Sequence, residues 1–199
     1  MGIMLVGLTG LYCSGKNHVA AFLEKRGFPV LDVDKLGHIA IENKKSDILN
    51  RFGDGLRDQN GSVNRRLLGE KVFGQKDEMA ALEAIVHPEA NRLTLEWIDA
   101  QNGKTCIINA AVLHKSAVFN RLDGIILVSA PLCIRLVRAK RRDKLPWAVL
   151  VQRLLSQRQF TAQYLAKNAD IYRVKNPGMS RTRLEYRIVS ILSKLGLEN

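Results

Sequence analysis

Residues 5–17 read Leu5-Val6-Gly7-Leu8-Thr9-Gly10-Leu11-Tyr12-Cys13-Ser14-Gly15-Lys16-Asn17. The apolar run Ile3 to Leu8 predicts a buried strand, and Gly10 to Gly15 a loop. Lys16 to Lys25 predicts a helix with Val19, Phe22 and Leu23 on one face. Gly10 to Lys16 is therefore a G-x-x-x-x-G-K pattern directly after a strand and directly before a helix. In that setting the loop turns successive backbone N–H groups inward around a phosphate, and the helix adds the positive end of its dipole. Lys16 adds a mobile charge toward the terminal phosphates. Asn17 stands where a Ser or Thr hydroxyl ordinarily ligates Mg²⁺. Its amide oxygen is a neutral ligand that can substitute, directly or through a water.

Working outward, Gly27 stops the helix and Pro29-Val30-Leu31-Asp32-Val33-Asp34 predicts a second strand. A strand, helix and strand joined by tight loops predict an α/β fold: a parallel sheet with helices on its faces, the three-layer P-loop arrangement. On a strand, residues i and i+2 share a face, so Asp32 and Asp34 are expected to project together at the carboxyl edge, where such sheets bind ligands. One carboxylate would hold a metal or its waters while the other accepts a hydrogen bond from an attacking hydroxyl. The alternative for Asp34 is that it caps the following helix.

Residues 35–103 carry helical spacing and no strong strand, and are expected to form a helical insertion between strands. His87-Pro88 marks a kink or break within it. Thr105 to Leu113 and Gly124 to Ala130 predict further strands, with a short helix near Lys115 to Arg121. Pro131 to Arg142 and Trp147 to Lys167 predict helices. Ile171 to Val174 predicts a last strand, Asn176-Pro177-Gly178 a loop, and Arg181 to Leu195 a closing helix. The core is thus expected over 1–34 and 104–199, with a helical lid near 131–168.

Composition bounds the class of protein. The chain has 199 residues, 46% hydrophobic and 25% charged, as one ordinary globular domain with an insertion. Three dispersed cysteines (Cys13, Cys106, Cys133) argue against a disulfide framework and for the cytoplasm. The apolar stretch Ile125 to Ile134 is broken by Ser129 and Pro131 and is too short to span a bilayer. The apolar start has no basic residue before it and Lys16 after it, so it is read as a strand and not a signal peptide. The net charge is +12, and residues 131–160 hold eight Lys or Arg against Asp143 alone. Arg135, Arg138 and Arg142 fall on one helix face, as a lid over a polyphosphate requires. A nucleic-acid surface is the competing reading, but Pro131 to Gln159 contains one aromatic that could interleave before its end, Trp147.

The order of these motifs resembles the dephospho-coenzyme A kinase family. Its V-G-L-T-G-G-I-G-S-G-K-S opening corresponds to Val6 to Asn17, and its V-I-D-A-D to Val30 to Asp34. D-G-S-L-D-R corresponds to Asn60 to Arg65, continuing to Val72 and Phe73. L-H-P corresponds to Val86 to Pro88, the lid R-x-x-x-R-D to Arg138 to Asp143, and N-x-G to Asn176 to Gly178. The resemblance implies transfer of the γ-phosphate of ATP, with Mg²⁺, to the ribose 3′-hydroxyl of dephospho-coenzyme A. It implies Asp34, Lys16 and Arg142 as catalytic residues. Gly10, Cys13, Ser14, Gly15, Lys16, Asn17, His18, Arg138, Asn176, Pro177 and Gly178 would bind ATP. The helical insertion would hold the acceptor substrate, faced by Asp32, Asp34, Arg65, Phe73 and His87, and Asn17 and Asp32 would face the metal. The alternatives are a nucleoside or nucleotide kinase with another acceptor, or a nucleotide-dependent binding module with a basic face.

The chain departs from the family pattern at several places. Leu11 and Cys13 replace glycines, which strains the loop if either needs a positive φ. Ala110 to His114 stands in place of P-L-L-F-E. Cys13, close to Lys16 and a helix N-terminus, is expected to have a lowered pKa and to be alkylated before Cys106 and Cys133 unless ATP covers it.

Overall fold

The computed structural model describes residues 4–155, 170–178 and 180–197. Its chain divides into two compact units, residues 1–31 with 101–199, and residues 32–100.

The first unit is built on a five-stranded sheet in the order β2-β3-β1-β4-β5. Its strands are β1 (Leu5–Gly10), β2 (Val30–Asp32), β3 (Cys106–Asn109), β4 (Gly124–Ser129) and β5 (Asp170–Lys175). β1 lies parallel to β3, with Leu5 opposite Cys106, and parallel to β4, with Val6 opposite Gly124. β4 in turn lies parallel to β5. Every residue of β1 and β3 is buried, so both faces of the central strands are covered and they read as continuous apolar runs instead of alternating ones.

One face packs on α1 (Lys16–Lys25) and on the closing helix α8 (Arg181–Lys194). Val19 and Leu23 of α1 and Leu184, Ile188 and Leu192 of α8 share a core with Val6, Leu8, Ile126 and Val128. The opposite side of β1 meets the segment after β3. A β-carbon on Gly7 would come within 2.5 Å of Leu113 and 2.9 Å of Leu122. That segment forms two short 3₁₀ turns, Leu113–Lys115 and Phe119–Arg121, in place of the expected helix. The remaining helices of this unit are α6 (Leu132–Asp143) and α7 (Trp147–Leu155). The rest of the expected helix to Lys167, and with it the later part of the expected lid, lies outside the described residues. The chain leaves β1 toward β2 and β3 on one side and toward β4 and β5 on the other. The carboxyl end of β1 is thus the switch point at which such sheets bind ligands.

The second unit is helical: α2 (Val33–Asn43), α3 (Lys45–Phe52), α4 (Arg65–Val72) and α5 (Lys76–Asp99). Ala40, Ile48, Leu49, Phe52, Leu68, Val72 and Val86 form its core. Two expectations are corrected here. β2 ends at Asp32, whose side chain accepts a hydrogen bond from the Lys35 amide at 3.4 Å and caps α2. Asp34 lies in the first helical turn, so the two carboxylates do not share a strand face. A local side chain to backbone bond has outcompeted continuation of the strand. His87-Pro88 does not break its helix, for α5 runs through Pro88 without interruption. Pro88 and Ala84, whose carbonyl loses its partner, are both exposed, and water can satisfy that carbonyl.

Candidate phosphate site and the residues around it

Between β1 and α1 the backbone takes two left-handed residues around Ser14: Cys13 at φ 59° and Gly15 at φ 99°. Gly15 is doubly required. Besides its φ, a β-carbon there would stand 2.3 Å from Nδ2 of Asn176. Gly10 is required by closeness alone, since its β-carbon would meet the Val128 carbonyl at 2.7 Å. The Ser14 amide donates to Leu11 O at 2.9 Å and closes the turn. α1 then starts without a side-chain cap and without an acidic residue in its first turn. The positive end of its dipole therefore faces the loop uncompensated, which suits an anion.

The loop's carbonyls are held from outside by residues far away in sequence. Arg135, buried within α6, donates from Nε to the Tyr12 carbonyl at 2.8 Å. Arg138 Nη1 donates to the carbonyls of Ser14 (3.1 Å) and Cys13 (3.4 Å), and its Nη2 donates to Asn176 Oδ1 at 3.2 Å. The buried Asn176 amide donates to the same Ser14 carbonyl at 2.8 Å, while its own backbone N–H is anchored on Ser129 O at 2.7 Å. Three consecutive carbonyls, Tyr12 to Ser14, are taken by these donors. The amides of Cys13 and Gly15 lie on the opposite edges of two of those peptide planes, turned away from the bracing side chains, where a phosphate can meet them. Burial draws Arg135 below the ordinary arginine range. The side chain nevertheless places positive charge behind the loop.

The resemblance implies Arg138 as an ATP-binding lid residue and the Asn176 to Gly178 loop beside the adenine. The Arg138 and Asn176 side chains are both bonded to the loop backbone, and Pro177 and Gly178 follow Asn176 as exposed loop residues. The third arginine of the row behaves differently. Arg142, more than half exposed, lies with its guanidinium 4.8 Å from the centre of the Tyr12 ring and donates to Asp143. Lys16 is half-buried at the start of α1, Asn17 is exposed, and His18 Nε2 stands 3.7 Å from Glu185 on α8. At Cys13 the expected lowering of the thiol's pKa is reversed. Burial pushes its thiol up from the ordinary value, outweighing the opposing charges of Arg142, Arg135 and Arg138.

In the helical unit, Asp34 is exposed on the first turn of α2. Arg65 opens α4 and lines a groove of about 440 Å³ together with His38, Ile39, Glu42, Asp58 and Ser62. Phe73, 83% exposed just after α4, is the most exposed large apolar side chain among the described residues. His87 is half-buried within α5. Neither Phe73 nor His87 lines the groove that contains Arg65. Among the described residues no group of three or more His, Cys, Asp or Glu could hold a metal ion. Arg135, beyond its place in the arginine row, and Tyr12 carry no role that the sequence alone marks. Nothing local marks an arginine for burial against a carbonyl more than 100 residues away.

Comparison with known proteins follows the same lines. Residues 4–179 match the dephospho-CoA kinase family. The dephospho-CoA kinase of Treponema denticola is 30% identical over 204 residues, covering 97% of this chain and 91% of that protein. That of Thermus thermophilus is 37% identical over 142 residues, covering 71% and 69%. Among solved structures, TT1252 from Thermus thermophilus superposes with a TM-score of 0.80 at 31% identity over 98% of this chain and 99% of that one. The dephospho-CoA kinase from Campylobacter jejuni shares the fold, with a TM-score of 0.63 at 22% identity over 96% of each chain.

Proposed function

The chain belongs to the dephospho-CoA kinase family, and from that premise we propose how its residues divide the reaction. The reaction is ATP-dependent phosphorylation of dephospho-coenzyme A to coenzyme A. The observation that carries the reading is the loop of residues 10–17, braced through its carbonyls and followed by an uncapped helix start. Its amides and Lys16 hold the ATP phosphates, with Ser14, Gly15, Asn17 and His18 at the helix start. Arg138 and Asn176 serve ATP indirectly, by holding the loop in shape. Pro177 and Gly178 are left as the residues of that segment toward the base.

Asp34 accepts the proton of the ribose 3′-hydroxyl as the new O3′–Pγ bond forms and the bond from Pγ to the β-phosphate oxygen breaks, releasing ADP. Arg142 stabilises charge on the transferring oxygens. Mg²⁺ takes oxygen ligands, and the neutral amide oxygen of Asn17, exposed at the start of α1, is a donor that would suit it beside the phosphates. Asn17 would be its protein contact, and Asp32, engaged as a helix cap, would act on it through water. When bound, the ion neutralises phosphate charge. Arg65 and its groove, with His87 and Phe73, take the acceptor. Among the described residues no helix is long and apolar enough to cross a membrane. Three free thiols and the use of ATP suit the cytoplasm.

The test is an acceptor panel. The full chain with ATP and Mg²⁺ should phosphorylate dephospho-coenzyme A and leave adenosine and AMP nearly untouched, followed by ADP release and mass spectrometry of the product. Equal turnover of AMP would overturn the acceptor assignment while leaving the phosphate site standing.

A further inference from the structure

We propose that Tyr12 is a positioning residue that holds the Arg142 guanidinium at the phosphate loop. The proposal rests on the reading of Arg142 as the arginine that meets the transferring phosphate. Tyr12 stands in the loop itself, and its own carbonyl is fixed by Arg135 at 2.8 Å. Its ring faces the Arg142 guanidinium at 4.8 Å, and its hydroxyl donates to the Asp143 carboxylate. That carboxylate receives Nε and Nη2 of Arg142 at 2.7 and 3.2 Å. The guanidinium therefore lies on an aromatic face and in the fork of a carboxylate that the same aromatic residue holds.

The arrangement acts on a side chain that needs it. Arg142 is 58% exposed, near the end of α6, where Lys144 in a left-handed conformation terminates the helix. A long exposed arginine distributes over many rotamers, and ordering it opposes each catalytic cycle. Stacking and a two-pronged carboxylate bond remove most of that freedom before nucleotide arrives. Asp143, only 19% exposed, is in turn fixed by the phenol. The resembled opening pattern carries an aliphatic residue where this chain has Tyr12, so neither the ring nor the hydroxyl belongs to that pattern.

The experiment is a double-mutant cycle on kcat and KM with ATP and dephospho-coenzyme A, using Tyr12→Ile, Arg142→Ala and their combination, with thermal melts alongside. Tyr12→Ile should lower kcat about tenfold, with the acceptor KM held within about twofold. Tyr12→Phe, which keeps the ring, should recover part of that loss. In the Arg142→Ala background Tyr12→Ile should cost nothing further. An equal loss with and without Arg142 overturns the proposal alone and makes Tyr12 part of the loop's own structure. A rise in kcat overturns it too, since the contact would then restrain Arg142. Wild-type kcat in Arg142→Ala overturns the role of Arg142 and the proposal together. If Tyr12→Ile does not fold, the same cycle with Tyr12→Phe decides, with a smaller loss expected and the same vanishing in Arg142→Ala.

Discussion

At Cys13 the chain sets a side chain where the resembled family has glycine, and the backbone is left-handed all the same, at φ 59°. For an L-residue that conformation costs about 1–2 kcal/mol. The donors on the Cys13 and Ser14 carbonyls hold it there. The thiol's reactivity follows from its surroundings. Burial raises its pKa against three nearby guanidiniums, while Cys133 is exposed and Cys106 buried. Because the thiolate is the nucleophile, mild alkylation near neutral pH should modify Cys133 first, then Cys13, then Cys106. ATP should protect Cys13 and leave Cys133 unaffected. Mapping by mass spectrometry decides; labelling of Cys13 ahead of Cys133 would mean that the guanidiniums prevail over burial. Asp34 is the second residue with a sharp test. A base acts on the transition state, so Asp34→Asn should lower kcat by about 10²–10⁴ and leave ATP affinity nearly unchanged. Retained turnover would return Asp34 to the ordinary role of an acidic residue in a helix's first turn.

Among the helices, α2 and α5 are joined by a buried acid. Glu89 accepts from Asn43 Nδ2 at 2.7 Å and from Arg92 Nε and Nη2 at 2.9 and 2.7 Å. Arg92 continues the network to Glu96. These bonds hold the Glu89 carboxyl down to about 2. Its folded pKa lies below the ordinary glutamate value of roughly 4.3, so its contribution to stability is complete above that pH. It is lost as pH falls toward 2. The melting temperature of the wild type should therefore drop across that window, and Glu89→Gln should start lower at neutral pH and fall less steeply. Parallel pH profiles for the two proteins would show that the network contributes nothing to the linkage. α6 works differently, as a brace. Successive turns present Arg135 and Arg138 to the loop backbone and Arg142 to Tyr12, so one helix serves both the shape of the phosphate site and its charge.

Over the whole molecule the net charge of +12 makes a polyanion an obvious partner. The structure redirects much of the strongest cluster. Arg135 and Arg138 are bonded to the loop, and Arg142 lies on Tyr12. Lys140 stands over Trp147. Binding to double-stranded DNA should accordingly be weak and non-selective, falling by about tenfold or more between roughly 50 and 200 mM salt. Fluorescence anisotropy with two unrelated duplexes checks this. Tight, sequence-selective binding that ATP leaves unchanged would give the basic face a function of its own.

The strand, loop and helix of residues 5–25 were determined by local sequence, because an apolar run, two glycines at a set spacing and a lysine act through neighbouring backbone. The family order extended that reading across the helical segment. Asp32 and Asp34 lay at its limit, since period-two alternation and a helix cap compete for the same few residues, and the cap prevailed. The roles of Arg135, Arg138, Asn176 and Tyr12 were decided only by the tertiary structure. The bonds that tie them to the phosphate loop, or Tyr12 to α6, join residues more than 100 apart along the chain. An arginine written on a helix carries the same charge whether it faces solvent, a nucleotide or a buried carbonyl. Only the packing of α6 beside the phosphate loop determines which of these it meets.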